Sequence, residues 1–504
     1  MVAAALPPSW AERIDTNFGV LVEYLGKVIF FRVYESKDGD ISIPFVVVWL
    51  FGGATFLTIR MGFINFRAFF HAIRLTRGEY DDAAEPGDVS HFQALAAALS
   101  ATVGLGNIAG VAIAIGTGGP GASFWILVVG LLGMSSKFAE CTLAQLYRVR
   151  DDSGKVLGGP MRYLRIGLAD LKWPRLGRFL AVVFMLLCIG ASFGGGNAFQ
   201  VGQSLDTIRN HFNLLDDYPW VYGLVMSTAV GLVIVGGIQS IGAVASKIVP
   251  FMCGAYVLAS LYILAVHAAD LPAAVVTIVT EAFNPTAIKG GFLGVLVIGI
   301  QRAVFSNEAG IGSAAIVHSA AKTDEPVSEG IVALLEPFID TVVVCSITAL
   351  VVVVTGVYAA PEMAEVVANN EGARLTLEAF VTGGYDWFKY VLYVAVVLFA
   401  FSTCISWSYY GERCWAELFG ASTSMIYKML FLGFTFLGSI VTRGNVLEFS
   451  DLMLLGMGLP NLLGVFMLSG IVKRQLDDYW GRYRAGKILT TAQIRQAEAA
   501  ESQS

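Results

Sequence analysis

The tetrapeptide Asn-x-Ala-Gly occurs twice inside long apolar segments, as Asn107–Gly110 and again, 200 residues later, as Asn307–Gly310. In the first copy, Gly104, Gly106 and Gly110 let the chain leave helical geometry at little cost. Lipid offers no partner to backbone groups released at such a break, so they persist only where they line a cavity and meet an ion or ligand. Two aligned, Gly-interrupted segments that each carry an Asn predict a paired binding site. The alternative is that the glycines only allow close helix packing.

The chemistry of such a site follows from the ends of the half-helices. Free N–H groups at a helix N-terminus bind a carboxylate, and released carbonyl oxygens coordinate a hard cation such as Na⁺. Further polar side chains lie at bilayer depth on two other predicted spans: Asn197, Gln200 and Gln203 near one face of the fourth span, and Ser402, Thr403, Ser406 and Trp407 on the ninth. The hydroxyls of the ninth span are able to ligate a cation, whereas Gln200 and Trp407 also fit a purely structural role.

The composition is that of an integral membrane protein. Of 504 residues, 56% are hydrophobic and only 14% are charged, whereas soluble domains are about 25% charged. The six cysteines and five histidines are scattered, which argues against disulfides, a zinc site and the nucleophile–base cluster of a membrane-embedded transferase. We therefore expect no enzyme, no organic cofactor and no nucleic-acid partner, and the N-terminus carries no recognisable signal peptide.

The hydropathy pattern predicts an all-α protein with about eleven transmembrane helices. The predicted spans are 43–60, 91–116, 122–147, 180–203, 219–238, 246–268, 291–318, 331–357, 387–411, 424–442 and 449–472. Segment 17–33 carries charges and is predicted to be an interfacial amphipathic helix within an extracytoplasmic N-terminal segment, 1–42. The basic residues number 22 on one predicted side and nine on the other, which places the N-terminus outside and the tail, 473–504, in the cytoplasm.

The two motifs fall in the second and seventh predicted spans, with five spans in each unit. An odd number of crossings per unit gives the units opposite orientations, so 91–268 and 291–472 are predicted to form a five-plus-five inverted repeat. The span at 43–60 is then an addition outside the repeat.

Six ionisable residues lie inside predicted spans, where such groups are functional candidates. They are Lys137, Glu140, Arg302, Glu308, Glu336 and Asp340. Lys137 and Glu140 are expected to form a structural pair because they lie three residues apart on one helix. Arg302 is expected to form a gating network with Glu308, Glu336 or Asp340, and the sequence does not assign its partner.

The chain resembles the alanine-or-glycine:cation symporter family, also known as sodium:alanine symporters or amino acid carrier proteins. The resemblance extends from about residue 40 to about residue 475. It is carried by Ala101–Ala112, Gly118–Ala122, Lys137–Glu140, Gly158–Met161, Arg302–Gly310 and Phe338–Thr341. It implies the LeuT-like fold of the amino acid–polyamine–organocation superfamily, with broken helices at the second and seventh spans.

The resemblance also implies Na⁺-coupled import of a small neutral amino acid, alanine or glycine, by a monomer in the bilayer of the inner membrane. The implied substrate site comprises Gly104, Gly106, Asn107, Gln200, Phe305, Ser306, Thr403 and Trp407. The implied Na⁺ site comprises Ala101, Gly104, Ser402 and Thr403. Leu105 stands where this family often has a small polar residue, which puts one side-chain contact in doubt. The alternatives are a proton-coupled carrier of the same fold and a uniporter. A channel is a third alternative, but it is less consistent with an inverted repeat.

Overall fold

The protein is largely helical in a computed structural model. The structure describes residues 10–36, 42–81, 85–150, 156–209, 211–284, 291–441, 443–494 and 496. Six helices in these ranges are long and apolar enough to cross a membrane: Gly121–Leu146, Pro174–Arg209, Gly237–Val266, Pro326–Thr355, Phe388–Phe419 and Gly444–Arg484. A seventh candidate is the bent pair His91–Thr102 and Gly106–Gly118, whose halves meet at 50°.

Shorter apolar helices complete the bundle: Phe45–Arg60, Pro219–Ile234, Leu271–Ala282, Gly291–Asn307 and Ala421–Leu437. Each of the eleven predicted spans contains one of these helices, while the number of crossings and the inverted repeat stay predictions. Leu271–Ala282 lies between the two predicted repeats, where we predicted no span. The last helix, Arg443–Arg484, continues well past residue 472, so the predicted start of the tail falls inside a helix.

The remaining elements are short, apart from the 20-residue helix Trp10–Ile29. They comprise the helices Trp10–Ile29, Ile64–Arg67, Phe69–Thr76, Pro160–Asp170, Asn213–Asp217, Ser313–His318, Ala364–Ala368 and Gly372–Gly383. Two antiparallel hairpins pair Arg32–Glu35 with Ser42–Pro44 and Val149–Arg150 with Val156–Leu157. The predicted amphipathic segment 17–33 is helical up to Ile29, and its helix packs on the last helix through Phe18 and Phe449, whose ring centroids are 5.3 Å apart.

The two copies of the repeated motif lie at the centre of the bundle. Residues 94–115 and 302–321 are all buried, whereas large apolar side chains such as Leu232 and Phe70 are exposed on the outside. Exposed apolar side chains are expected where the solvent is lipid. Burial of every residue around both motifs means that each backbone group there must find its partner within the protein.

Two of the long helices contain π-helical turns next to the motifs. Gly194–Ala198 interrupts Pro174–Arg209, and Phe338–Cys345 interrupts Pro326–Thr355, which we call the bulged helix. A π-turn leaves a carbonyl outside the regular ladder and turns side chains towards new neighbours, and such turns are frequent at functional sites.

The helix Gly372–Gly383 closes the first motif from one side. Thr376 Oγ1 donates to the carbonyl of Ile108 at 3.1 Å. A Cβ on Gly372 would lie 2.1 Å from the carbonyl oxygen of Ala109, which is rigid backbone. Only glycine therefore allows this helix to approach the π-turn Gly106–Gly110.

We predict that Gly372→Ala lowers thermal stability because the added methyl group forces two helices apart. Overpacking of this kind costs about 1–3 kcal/mol. Gly254→Ala is the matched control, since a Cβ there meets nothing within 4 Å. The measurement is the apparent melting temperature of the purified protein in detergent. Equal melting temperatures for both variants would contradict the close approach at Gly372.

Candidate functional site

The first motif forms a true break in its helix. Val103 leaves helical geometry with ψ of 80°, and Gly106–Gly110 continues as a π-turn. In a continuous helix the N–H of Gly104 and of Leu105 would donate to carbonyls four residues earlier. Instead, Gly104 N is shared between the carbonyl of Thr102 at 2.8 Å and Asn107 Oδ1 at 2.9 Å, and Leu105 N donates to Gln200 Oε1 at 3.0 Å. Two side-chain amides thus take the place of helical carbonyls at this half-helix N-terminus.

The same break releases carbonyl oxygens towards the helix Phe388–Phe419. Because the N–H groups of Gly104 and Leu105 bond elsewhere, the carbonyls of Ser100 and Ala101 lose their helical donors. The carbonyl of Ser100 accepts from Thr403 Oγ1 at 3.2 Å, and Ser100 Oγ donates to the carbonyl of Ser402 at 2.7 Å. The first break and the helix Phe388–Phe419 thus meet through hydroxyl and carbonyl oxygens. Oxygen ligands of this kind are those that hard cations prefer.

Gly104 is required for this approach. A Cβ on Gly104 would lie 2.4 Å from Thr403 Oγ1 and 3.2 Å from Gln200 Oε1. Ser402 Oγ, in contrast, donates back to the carbonyl of Phe399 at 3.0 Å. Of the four predicted Na⁺ ligands, Gly104 and Thr403 are in close contact, and the carbonyl of Ser402 accepts from Ser100 Oγ. Ala101 contributes a carbonyl that loses its helical donor, because Leu105 N bonds to Gln200.

The second motif breaks its helix by another geometry. The helix Gly291–Asn307 ends at the motif, Glu308 adopts a left-handed conformation with φ of 56°, and Ser313–His318 begins after Gly312. Asn307 Oδ1 accepts from Ala309 N at 2.9 Å, as Asn107 Oδ1 accepts from Gly104 N in the first copy. The two asparagines therefore have matching local roles, each satisfying a backbone donor at its break.

The bulged helix contacts both breaks through adjacent residues. Asn107 Nδ2 donates to Asp340 Oδ1 at 2.6 Å, and Asn307 Nδ2 donates to Thr341 Oγ1 at 3.1 Å. Ser306 Oγ donates to Asp340 Oδ2 at 2.8 Å. Asp340 is fully buried, and its hydrogen-bond donors are neutral. A buried ionised carboxylate is stabilised by a nearby positive charge, so this position is suited to a cationic ligand.

Aromatic side chains cover the remaining walls. The rings of Phe305 and Phe199 meet edge to face with centroids 5.2 Å apart, and Trp407 Nε1 donates to Glu308 Oε1 at 2.9 Å. A Cβ on Gly106 would lie 3.3 Å from the Cα of Ser306, so the two breaks are in close contact.

Several contacts differ from those expected. Asn197, Gln200 and Gln203 do not converge: Gln200 reaches the first break, whereas Asn197 Nδ2 donates to the carbonyl of Phe431 and Gln203 Nε2 to that of Asn370. The π-turn Gly194–Ala198 contains Asn197, whereas Gln200 and Gln203 lie on the regular helix after it, so the turn changes the direction of Asn197 relative to the other two amides.

The predicted Lys137–Glu140 pair is wrong. Lys137 Nζ contacts Glu336 Oε1 at 2.8 Å, and Glu140 Oε1 accepts from Asn461 Nδ2 at 2.7 Å. Arg302 pairs with Asp451 on the last helix, so it does not join Glu308, Glu336 or Asp340. These partners come from distant helices, and spacing along one helix cannot identify them.

Two residues of this site were not among the predicted ligands. Ser100 connects the first break to Phe388–Phe419, and Asp340 connects both breaks to the bulged helix. Asp340 was recognisable as an acidic residue inside a predicted span. For Ser100, the only feature of the sequence that pointed to the site was its position next to Ala101.

We predict that Gly104→Ala removes the response of the protein to Na⁺, because its methyl group displaces the Thr403 hydroxyl. The measurement is the difference in melting temperature between Na⁺ and K⁺ at equal ionic strength, since a ligand of the native state raises that temperature. Gly110→Ala, in the same motif but with nothing within 4 Å of its Cβ, should keep the wild-type difference. An unchanged Na⁺ response in Gly104→Ala would remove this position from the cation site.

Comparison with known proteins identifies the family of the chain. A family model described as the sodium:alanine symporter family matches residues 32–493. Sodium/alanine symporter AgcS of Methanococcus maripaludis is 41% identical over 448 residues, which cover 88% of this chain and 96% of that protein. Amino-acid carrier protein AlsT of Bacillus subtilis is 34% identical over 455 residues, 88% of this chain and 93% of that protein.

The fold is also that of a solved transporter. A crystal structure of MhsT in complex with L-phenylalanine superimposes with a TM-score of 0.52 at 14% identity, covering 80% of this chain and 96% of that one. The similarity supports a LeuT-like helical fold. With both findings, the chain belongs to the sodium:alanine symporter family and is a multi-pass membrane transporter, not an enzyme.

Proposed function

We propose that the protein is a Na⁺-coupled symporter that imports alanine or glycine across the inner membrane by alternating access. The observation that carries this proposal is the first break, where the carbonyls of Ser100 and Ala101 lose their helical donors and the hydroxyl of Thr403 donates to that of Ser100. Relatives named sodium/alanine symporter and amino-acid carrier protein support it.

The coupling ion is proposed to bind between the first break and the helix Phe388–Phe419. Its ligands are the carbonyls near Ala101 and Gly104 and the polar groups of Ser402 and Thr403. These are uncharged oxygen donors, which suit a hard monovalent cation.

The amino acid is proposed to bind between the two breaks. Its carboxylate would accept from the N–H groups of Gly104 and Leu105, replacing the amide oxygens of Asn107 and Gln200 that now occupy them. This exchange keeps both backbone donors bonded. The amide nitrogens of Asn107 and Gln200, which donate to Asp340 and to the carbonyl of Gly195, must keep those bonds or find new acceptors when the amide oxygens move.

The substrate ammonium group is proposed to lie near Ser306 and Asp340. Asp340 would supply the negative charge that a buried ammonium needs. Phe305 and Trp407 would limit the substrate side chain to a methyl group or a hydrogen. The first break would then hold the ion and the carboxylate, while the second break shapes the pocket and gates it.

The orientation follows from charge. We propose that the N-terminus is outside and that the C-terminal segment is cytoplasmic, because basic residues collect at one end of the bundle. Two of the basic residues bond to segment 321–325: Arg148 donates to the carbonyl of Ala321 at 2.7 Å, and Arg482 pairs with Glu325 at 2.5 Å. We propose a monomer as the transporting unit.

Proteoliposomes test the proposed function directly. Labelled alanine should accumulate only when an inward Na⁺ gradient is imposed, and not with K⁺ or with an inward proton gradient alone. Competition by glycine, serine, glutamine and D-alanine would define the substrate size and enantiomer. Uptake that follows the proton gradient without Na⁺ would replace this proposal by the proton-coupled alternative, in which Asp340 carries the proton.

We predict that Asp340→Asn weakens substrate uptake while the protein stays folded. Loss of a charge-assisted hydrogen bond costs about 1.5–3 kcal/mol, which corresponds to about a 10- to 100-fold higher half-saturating concentration. Asp386→Asn, at an exposed position, is the matched control. Wild-type half-saturation in Asp340→Asn, with normal elution from a sizing column, would exclude Asp340 from the site.

A further inference from the structure

A second cluster of buried charges lies away from the site described above, where the two broken helices end. His91 is the first residue of the helix His91–Thr102, and His318 is the last residue of Ser313–His318. Glu329, on the bulged helix, accepts from both rings: one carboxylate oxygen from His91 Nδ1 and the other from His318 Nδ1, the latter at 2.5 Å. One carboxylate thus bridges the half-helices that precede the first break and follow the second.

Backbone contacts at the same end hold these half-helices together. Asp88 N donates to the carbonyl of Ala320 at 2.8 Å, and Lys322 N donates to the carbonyl of Val89 at 2.8 Å. Ser90 caps the helix His91–Thr102 through a reciprocal pair of bonds with Gln93, which fixes the position of His91. This is the end of the bundle where the basic residues collect.

The bridge continues into the protein through a second acid. His318 Nε2 lies 3.6 Å from Glu336 Oε2, and the other oxygen of Glu336 contacts Lys137 Nζ at 2.8 Å. Glu329, His318, Glu336 and Lys137 are all fully buried. Both His318 Nε2 and Glu336 Oε2 are buried without a hydrogen-bond partner, so the two atoms face each other with nothing else to satisfy them.

This geometry requires a proton on each nitrogen of His318. Nδ1 must carry hydrogen to donate to Glu329, and a bare Nε2 lone pair facing a carboxylate oxygen would be repelled. His318 is therefore an imidazolium in the closed arrangement. The cluster is then electrically neutral, with Glu329 and Glu336 negative and His318 and Lys137 positive, as buried charges require.

Other charged groups face the cluster from the elements around it. They are Asp81 and Glu85 beside His91, Arg148 beside Glu329, and Glu140 and Glu308 beside Lys137. Asp81 Oδ1 is 4.0 Å from His91 Nε2, and its side chain is 42% exposed. Asp81 thus connects the buried cluster with the aqueous phase.

We propose that His91, Glu329 and His318 form a proton-dependent latch that keeps the cytoplasmic path closed. The proposal rests on the alternating-access function proposed above. Opening this end separates the two half-helices and breaks the bridge. Loss of the His318 proton leaves two carboxylates against one ammonium in a buried site, which destabilises the closed state.

The sign of the pH effect follows from proton linkage. The closed state binds one proton more than the open state, so acid favours closure and alkaline conditions favour opening. Opening releases this proton through Asp81 to the cytoplasm. Cytoplasmic alkalinisation should therefore speed substrate release, independently of which ion drives uptake.

Hydrogen–deuterium exchange of the purified full-length protein in lipid nanodiscs tests the latch without requiring transport. Between about pH 6 and pH 8.5, where histidines titrate, protection of segments 86–102 and 311–323 should fall as pH rises, after correction for intrinsic exchange. The limit for one linked proton is about tenfold per pH unit. Segment 372–383, on another side of the first break, is the internal reference and should not respond.

Variants separate the latch from general stability. Glu329→Gln removes the charge that retains the His318 proton, so protection of both segments should be low and independent of pH. Glu325→Gln makes the same change four residues earlier, in the surface pair with Arg482, and should titrate like wild type. If Glu329→Gln aggregates, the pH dependence of exchange in the wild-type protein decides by itself whether the latch exists.

Wild-type protection that is independent of pH, or a Glu329→Gln variant that titrates like Glu325→Gln, would overturn the latch. Neither result would bear on Na⁺-coupled uptake. Conversely, absence of alanine uptake in proteoliposomes would refute the proposed function and leave a measured pH-dependent exchange in place.

Discussion

The central constraint on this protein is that two breaks in buried helices must satisfy their backbone groups without water. Lipid provides no donor or acceptor, and an unsatisfied backbone group in such surroundings costs several kcal/mol. The chain meets the requirement with side-chain amides: Asn107 and Gln200 at the first break, and Asn307 at the second. A ligand that offers equivalent acceptor atoms could take the place of these amide oxygens, so the same backbone donors serve both stability and binding.

The surrounding helices follow from this constraint. The bulged helix brings Asp340 and Thr341 between the two asparagines, and the π-turn at Phe338–Cys345 places these consecutive residues side by side against both breaks. Gly104 and Gly372 are needed because neighbouring atoms occupy the space of a side chain. Beyond the breaks, the half-helices end at His91 and His318, which share Glu329. The same two half-helices therefore connect the proposed binding region with the His91–Glu329–His318 bridge.

The sequence predicts the class of fold and the location of the breaks well, because both depend on local patterns. Apolar length identifies the helices, and the repeated Asn-x-Ala-Gly with its glycines identifies the two breaks, which the structure shows at Val103–Gly106 and Glu308–Gly312. Contacts between side chains on different helices are harder to predict from the sequence. Lys137 contacts Glu336 instead of Glu140, and Arg302 contacts Asp451, because such pairs depend on how distant helices pack. The π-turn at Gly194–Ala198 likewise changes the direction of Asn197 relative to Gln200 and Gln203, which lie on the regular helix that follows.

The most direct test of the paired-break account is an experimental structure with alanine and Tl⁺, a heavy substitute for Na⁺ whose anomalous signal locates the ion. The account predicts one cation peak between the carbonyl of Ala101 and the hydroxyl of Thr403, and amino acid density in contact with both Gly104 and Ser306. A cation peak remote from the first break, or amino acid density that touches only one of the two broken helices, would contradict it.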